Sequence, residues 1–128
     1  MQRQEPKPVK DEHRAHPIAS AWRPVLRAIV MAMVEGDYVL ARGIENVAPV
    51  SDATADHIRA YIVAYGETLT KLPNDTWKSS VSQWMGTHWY VLVDLWNVES
   101  GASDLVLHLH VFEAYDGFRF EVESVYVP

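Results

Sequence analysis

Three runs between Trp89 and Val127 alternate apolar and polar residues with a period of two, which constrains the fold more than any other feature. They predict consecutive strands over Trp89–Val98, Leu105–Ala114 and Phe118–Val127. Because strand side chains point to opposite faces in turn, parity sorts the residues into two sets. One face collects Trp89, Val91, Val93 and Leu95, then Leu105, Leu107, Leu109 and Val111, then Phe118, Phe120, Val122 and Tyr126. That set is apolar enough to be a core. The opposite face carries Tyr90, Leu92, Asp94 and Trp96, then Val106, His108, His110 and Phe112, then Arg119, Glu121 and Glu123.

Turn chemistry fixes an expected register. Asp116-Gly117 is a tight-hairpin signal, since both residues tolerate positive φ, and it predicts Tyr115 opposite Phe118. His110 then faces Glu123, and Phe112 faces Glu121. A five-residue link over 99–103 puts Asp94 opposite His108 and Leu92 opposite His110. In that register a His110–Glu123 pair raises the imidazole pKa above its ordinary ~6.5.

Upstream the periodicity is helical. Trp22, Leu26, Ile29, Val30 and Met33 share one stripe, with Ser20 as cap, Pro24 tolerated in the first turn and Gly36 as stop. A short helical piece is expected around Val39–Arg42. A second helix starts at Ser51 or Asp52, buries Ala55, Ile58, Ile62 and Tyr65, and ends at Gly66. Thr68–Leu72 and Trp77–Trp84 are weaker strand candidates. The expected fold is α+β, with two to three N-terminal helices packed on one face of a four- to five-stranded antiparallel meander. Residues 1–16 are polar and aperiodic and read as a flexible tail, leaving 17–128 as one α+β domain.

The absence of cysteine removes disulfides, thiolate metal sites and Cys nucleophiles. No stretch has the continuous apolar length of a membrane span, and the N-terminus lacks the apolar region of a secretory signal, so a cytoplasmic location is expected. Charge is unevenly distributed. Residues 85–128 hold Asp94, Glu99, Asp104, Glu113, Asp116, Glu121 and Glu123 against Arg119 alone, a net of −6. Such a surface repels phosphate backbones, which argues against nucleic acid and suits a basic protein partner. No Gly-rich phosphate loop, His-Glu-x-x-His or nucleophile-elbow motif is present, so no catalytic residue, metal ligand or cofactor is assigned.

The polar sheet face is therefore the candidate site, comprising Tyr90, Leu92, Asp94, Trp96, His108, His110, Phe112, Glu121 and Glu123. It admits three readings: a solvated face with favourable cross-strand pairs, a binding surface of aromatics and acids, or a chemical site. In the last, His108 and His110 with Asp94 or Glu123 form an acid–base or two-His-one-carboxylate set. His88 precedes the first strand and can approach its edge.

Gly36-Asp37-Tyr38, then Ala64-Tyr65-Gly66-Glu67-Thr68-Leu69, then Trp89-Tyr90-Val91-Leu92-Val93-Asp94-Leu95-Trp96 and Ser103-Asp104-Leu105-Val106-Leu107 resemble a family of small bacterial proteins of unknown function. The resemblance covers roughly residues 17–128 and implies no activity, cofactor or catalytic residue. The order of elements also resembles NTF2-like cone folds in layout, which implies a pocket between helices and sheet. Two functions are carried forward. One is a non-catalytic protein-binding domain, for example an immunity protein masking a basic toxin. The other is an NTF2-like small-molecule pocket protein or minor enzyme using His108, His110, Asp94 or Tyr90 as acid–base groups.

Overall fold

The structure, a computed structural model, describes residues 5–128. Its first regular element is the two-residue strand β1 (His16–Pro17), followed by a 3-10 turn over Ser20–Trp22 and helix α1 over Arg23–Val34. Pro24 lies in the first turn of α1, where an amide has no intrahelical acceptor to lose. Leu26, Ile29, Val30 and Met33 are buried, as their spacing requires, and Met31 and Val34 on the other side are exposed. Ser20 does not cap this helix. It opens the 3-10 turn instead, and the residue before α1 is Trp22, which makes no side-chain capping bond.

The helical piece expected at Val39–Arg42 is a pair of turns. The Asp37 carboxylate accepts hydrogen bonds from the backbone N–H groups of Ala41 (2.8 Å) and Arg42 (3.2 Å). Those bonds give the backbone a local alternative to helix. Helix α2 (Asp52–Tyr65) follows the expected punctuation: Ser51 Oγ accepts from Thr54 N–H at 3.2 Å, and Gly66 ends the helix at φ 87°. Ser51→Ala is expected to cost about 1 kcal/mol. It should appear in urea titrations as a lower midpoint with an unchanged slope.

The remaining strands are β2 (Leu69–Thr70), β3 (Val81–Trp84), β4 (Trp89–Asn97), β5 (Gly101–Ala114) and β6 (Gly117–Tyr126). All six join one antiparallel sheet in the order β1-β3-β4-β5-β6, with β2 paired to the end of β4. The chain is thus α+β, with two helices and an antiparallel sheet. The strand predicted over Trp77–Trp84 divides into a 3-10 helix, Asn74–Lys78, and β3.

Both central hairpins depart from the expected register. In β4–β5, Tyr90 faces His110, Leu92 faces His108 and Asp94 faces Val106. Strand β5 begins at Gly101 rather than Leu105, and Asn97 pairs with Gly101 across a three-residue link. The slack is absorbed by a bulge at 103–105, opposite Leu95. There Ser103 Oγ donates to Leu95 O at 2.7 Å and accepts from Leu105 N–H at 3.2 Å, filling the interrupted ladder. The shift is two residues, so each side chain of these strands keeps its face.

In β5–β6 the turn residues are Tyr115 and Asp116, with Ala114 opposite Gly117, His110 opposite Glu121 and Phe112 opposite Arg119. Packing explains the choice. The pairing of Tyr115 with Phe118 would bring Ser124 opposite core residue Leu109. The observed register matches Val111 with Phe120, Leu109 with Val122 and Leu107 with Val125. A bulge at Glu123 then inverts the parity of the strand end. Val125 is consequently buried, whereas Tyr126, expected in the core, lies on the other face beside Tyr90 and His108.

The apolar face of β4 and β5 joins residues of α1 and α2 in one core cluster. Trp22 lies within it, edge-on to Trp89 (5.2 Å), Phe118 (5.4 Å) and Phe120 (6.4 Å). Of the tail expected over residues 1–16, the first four lie outside the described residues. Beyond them, Trp89 Nε1 donates to Val9 O at 3.0 Å, Gln83 Nε2 donates to Glu12 O at 2.9 Å, and Lys10 pairs with Glu113 at 2.7 Å.

Candidate functional site

The outward face of the meander is built as rows of side chains running across the strands. One row is Gln83, Tyr90, His110 and Glu121; the next is Val81, Leu92, His108 and Ser124. Phe112 and Arg119 form a row on one side of these, and Asp94, Val106 and Tyr126 a row on the other. Sheet twist and the β5–β6 bulge bring the rings into direct contact. Tyr90 stacks on His108 with centroids 3.9 Å apart, and His108 meets His110 edge-on at 5.0 Å. His88 closes the cluster, 4.5 Å from His110 and 5.1 Å from Phe112. Tyr126 sits edge-on to His108 at 6.2 Å, its hydroxyl 3.5 Å from that of Tyr90.

This face is half-buried by its own side chains. His108, His110, Tyr90, Phe112 and Tyr126 are all intermediate in exposure. The consequence is electrostatic. Burial pushes the His108 pKa down to about 4, with further lowering from His110 and His88. Its Nε2 is buried without a hydrogen-bond partner, so a proton placed there would gain no acceptor. His110 does meet Glu123, Nδ1 to Oε1 at 3.3 Å, but across the bulge and not as a paired residue. Its pKa is nevertheless lowered, because burial outweighs the opposing pull of Glu123, and His88 adds to the lowering. The expected rise is therefore reversed. Tyr126 is pushed up to about 12, first by the Tyr90 hydroxyl bond and then by burial.

Of the other candidates, Asp94 is turned away from the imidazoles. Its carboxylate accepts from Ser79 Oγ, its N–H donates to Ser80 Oγ at 2.9 Å, and its carbonyl accepts from Thr76 Oγ1. Asp94 thus anchors the segment before β3. Trp96 lies over Gly101, where a Cβ would approach its ring to 3.6 Å, and does not reach the histidines' row. Leu92 lies opposite His108. Glu121 bonds Arg119 at 3.3 Å, and the Arg119 guanidinium lies 5.1 Å from the Phe112 ring centre. The outward face thus brings His108, His110, Tyr90, Phe112, Glu121 and Glu123 together, with His88, Arg119 and Tyr126 beside them. Parity already placed Arg119 there. Tyr126 was hidden by a bulge that alternation alone does not signal.

Chemically, the face offers ring surfaces flanked by carboxylates. Among the described residues, no group of three or more His, Asp or Glu side chains is arranged to hold a metal ion, so the two-His-one-carboxylate set is not assembled. A surface depression of about 320 Å³ lies elsewhere, lined by Asp37, Tyr38, Asp56, Arg59 and neighbouring residues, and includes none of the sheet histidines.

A family described as "Domain of unknown function (DUF7668)" matches residues 30–128. The chain belongs to that family. No curated protein and no solved structure matches it. The DUF7668 match begins within α1 at Val30 and takes in the whole ring cluster, while Trp22 and the segment contacting Trp89 precede it. No helix among the described residues of this DUF7668 chain is long and apolar enough to cross a membrane.

Proposed function

We propose that the chain is a non-catalytic protein-binding domain that takes a basic partner on the outward sheet face, as an immunity protein would mask a basic toxin. The observation that carries this reading is the contiguous cluster of Tyr90, His108, His110, His88 and Phe112 with Glu121 and Glu123 at its margin. Rings of this kind supply contact area with few rotors to freeze, and carboxylates beside them complement a guanidinium or ammonium group. Arg119 already illustrates the mode within the chain, its guanidinium held between the Phe112 ring and the Glu121 carboxylate. With the imidazoles neutral, the charges across the face are Asp94, Glu121, Glu123 and Arg119, which leaves it acidic. Both helices are inferred to lie behind the sheet, on its core side, leaving this face free.

The NTF2-like alternative needs a cavity lined by His108, His110, Asp94 and Tyr90. It draws less support, since the Asp94 carboxylate is bonded to Ser79 and not to an imidazole.

Chemical-shift mapping with an oligo-arginine peptide tests the reading. Salt-sensitive perturbations are expected at His88, Tyr90, His108, His110 and Phe112, and the double variant Glu121→Lys/Glu123→Lys should abolish them. Perturbations confined to residues away from this face, or none at low salt, would remove the proposed surface.

A further inference from the structure

We infer that the same face releases its partner on acidification, because protons taken up at the His88–His110 end of its imidazole cluster cancel the negative charge that holds a basic partner. The inference rests on the binding reading above and specifies how that site is regulated. Two imidazoles from β5 and a third from His88, the residue preceding β4, share one contact cluster. His110 is at its centre, 4.5 Å from His88 and 5.0 Å from His108.

The charged and titratable groups facing the cluster are few. Strand β6 contributes Glu123 on His110 Nδ1, Glu121 opposite His110, Arg119 bonded to Glu121, and the Tyr126 hydroxyl near Tyr90. Strand β4 contributes Tyr90, and also Asp94, whose carboxylate is held by Ser79. Strand β3 contributes the neutral Gln83. On β5 the next carboxylate is Glu113, paired with Lys10.

With the rings neutral, Asp94, Glu121 and Glu123 against Arg119 give the face a charge of −2. Each proton taken up by a ring removes one unit of it, and two protons cancel it. Charged rings in contact also repel one another and lose the stacking that holds the surface flat. Both effects oppose a basic partner. Glu123 draws a proton toward His110 while burial and His88 oppose it, and each further proton enters beside an existing positive charge.

The experiment compares binding of an oligo-arginine peptide at about pH 7.5 and about pH 5, which bracket the ordinary imidazole value. Ionic strength is held constant, and amide spectra confirm the fold at both values. Wild type should lose roughly tenfold or more in affinity at the lower pH. The variant His88→Gln/His110→Gln, whatever its affinity at about pH 7.5, should lose at most about twofold on going to about pH 5. Equal wild-type affinity at the two pH values would overturn acid release and leave the binding reading standing. An equal loss in wild type and variant would assign the effect to the carboxylates and also overturn it, as would unfolding of wild type at the lower value. Absence of binding at both values would overturn the binding reading and the release together.

Discussion

Replacing Trp22 with alanine is expected to lower the unfolding free energy by about 3–5 kcal/mol. Trp22 is 1% exposed and belongs to the core cluster that residues of α1, α2 and the sheet share. Its indole contacts Trp89 on β4 and both Phe118 and Phe120 on β6, three edge-on pairings held by one side chain. Truncation leaves a cavity walled by these rings and by sheet residues whose positions the hydrogen-bonded ladders fix. Such a site collapses poorly, which places the cost toward the upper end of the range. The indole Nε1 is buried without a hydrogen-bond partner, so part of the native side chain already works against stability. Trp22→Phe keeps the apolar ring and removes that orphan donor, and should cost only about 1–2 kcal/mol. Urea unfolding of the two variants measures both. If Trp22→Ala loses less than Trp22→Phe, the ring contacts are not what holds this part of the core together.

Much of this arrangement can be read in the sequence because it follows from periodicity. The stripe containing Trp22, Leu26, Ile29, Val30 and Met33 specifies α1, and Ser51 with Gly66 brackets α2 through backbone needs that few residues meet. Alternation in β4 and β5 likewise separates the leucines and valines of the core from His108 and His110. Register is a different kind of information. It depends on where extra residues are accommodated, and alternation says nothing about that. The bulge opposite Leu95 moves the β4 partners of both histidines by two positions and detaches Asp94 from them. Without the bulge at Glu123, Ser124 would meet core residue Leu107 where Val125 now stands, a competition visible only once the strands are paired. The candidate face was therefore legible as a set of residues, while its internal contacts were not. The sign of the His110 pKa shift went with them. A cross-strand carboxylate predicts a rise, but a cluster of rings that buries its own imidazoles produces a fall.

That burial leads to the second large effect, a loss of stability on mild acidification that His108→Phe should suppress. In the unfolded chain His108 titrates near 6.5, whereas in the fold its pKa is about 4. Between those values the unfolded state binds a proton that the folded state refuses. Stability from this residue is therefore complete above about pH 6.5, falls as pH drops across the window, and reaches its floor below about pH 4. The whole shift corresponds to about 3 kcal/mol. The ring is only partly shielded, and solvent screening brings the expected loss to about 1–2 kcal/mol. His110 contributes in the same direction. Phenylalanine keeps a ring against Tyr90, fills the space of a nitrogen that has no partner, and cannot be protonated. At pH 7 the variant should be as stable as wild type or slightly more so. Between about pH 6.5 and about pH 4 its stability should fall less steeply, so that the two proteins diverge as the solution is acidified. Urea midpoints measured at several pH values across that interval resolve the difference. Parallel pH profiles for the two proteins would mean that His108 titrates in the fold as it does in the unfolded chain. The imidazole cluster would then lack the desolvation that its packing against Tyr90 and His110 imposes.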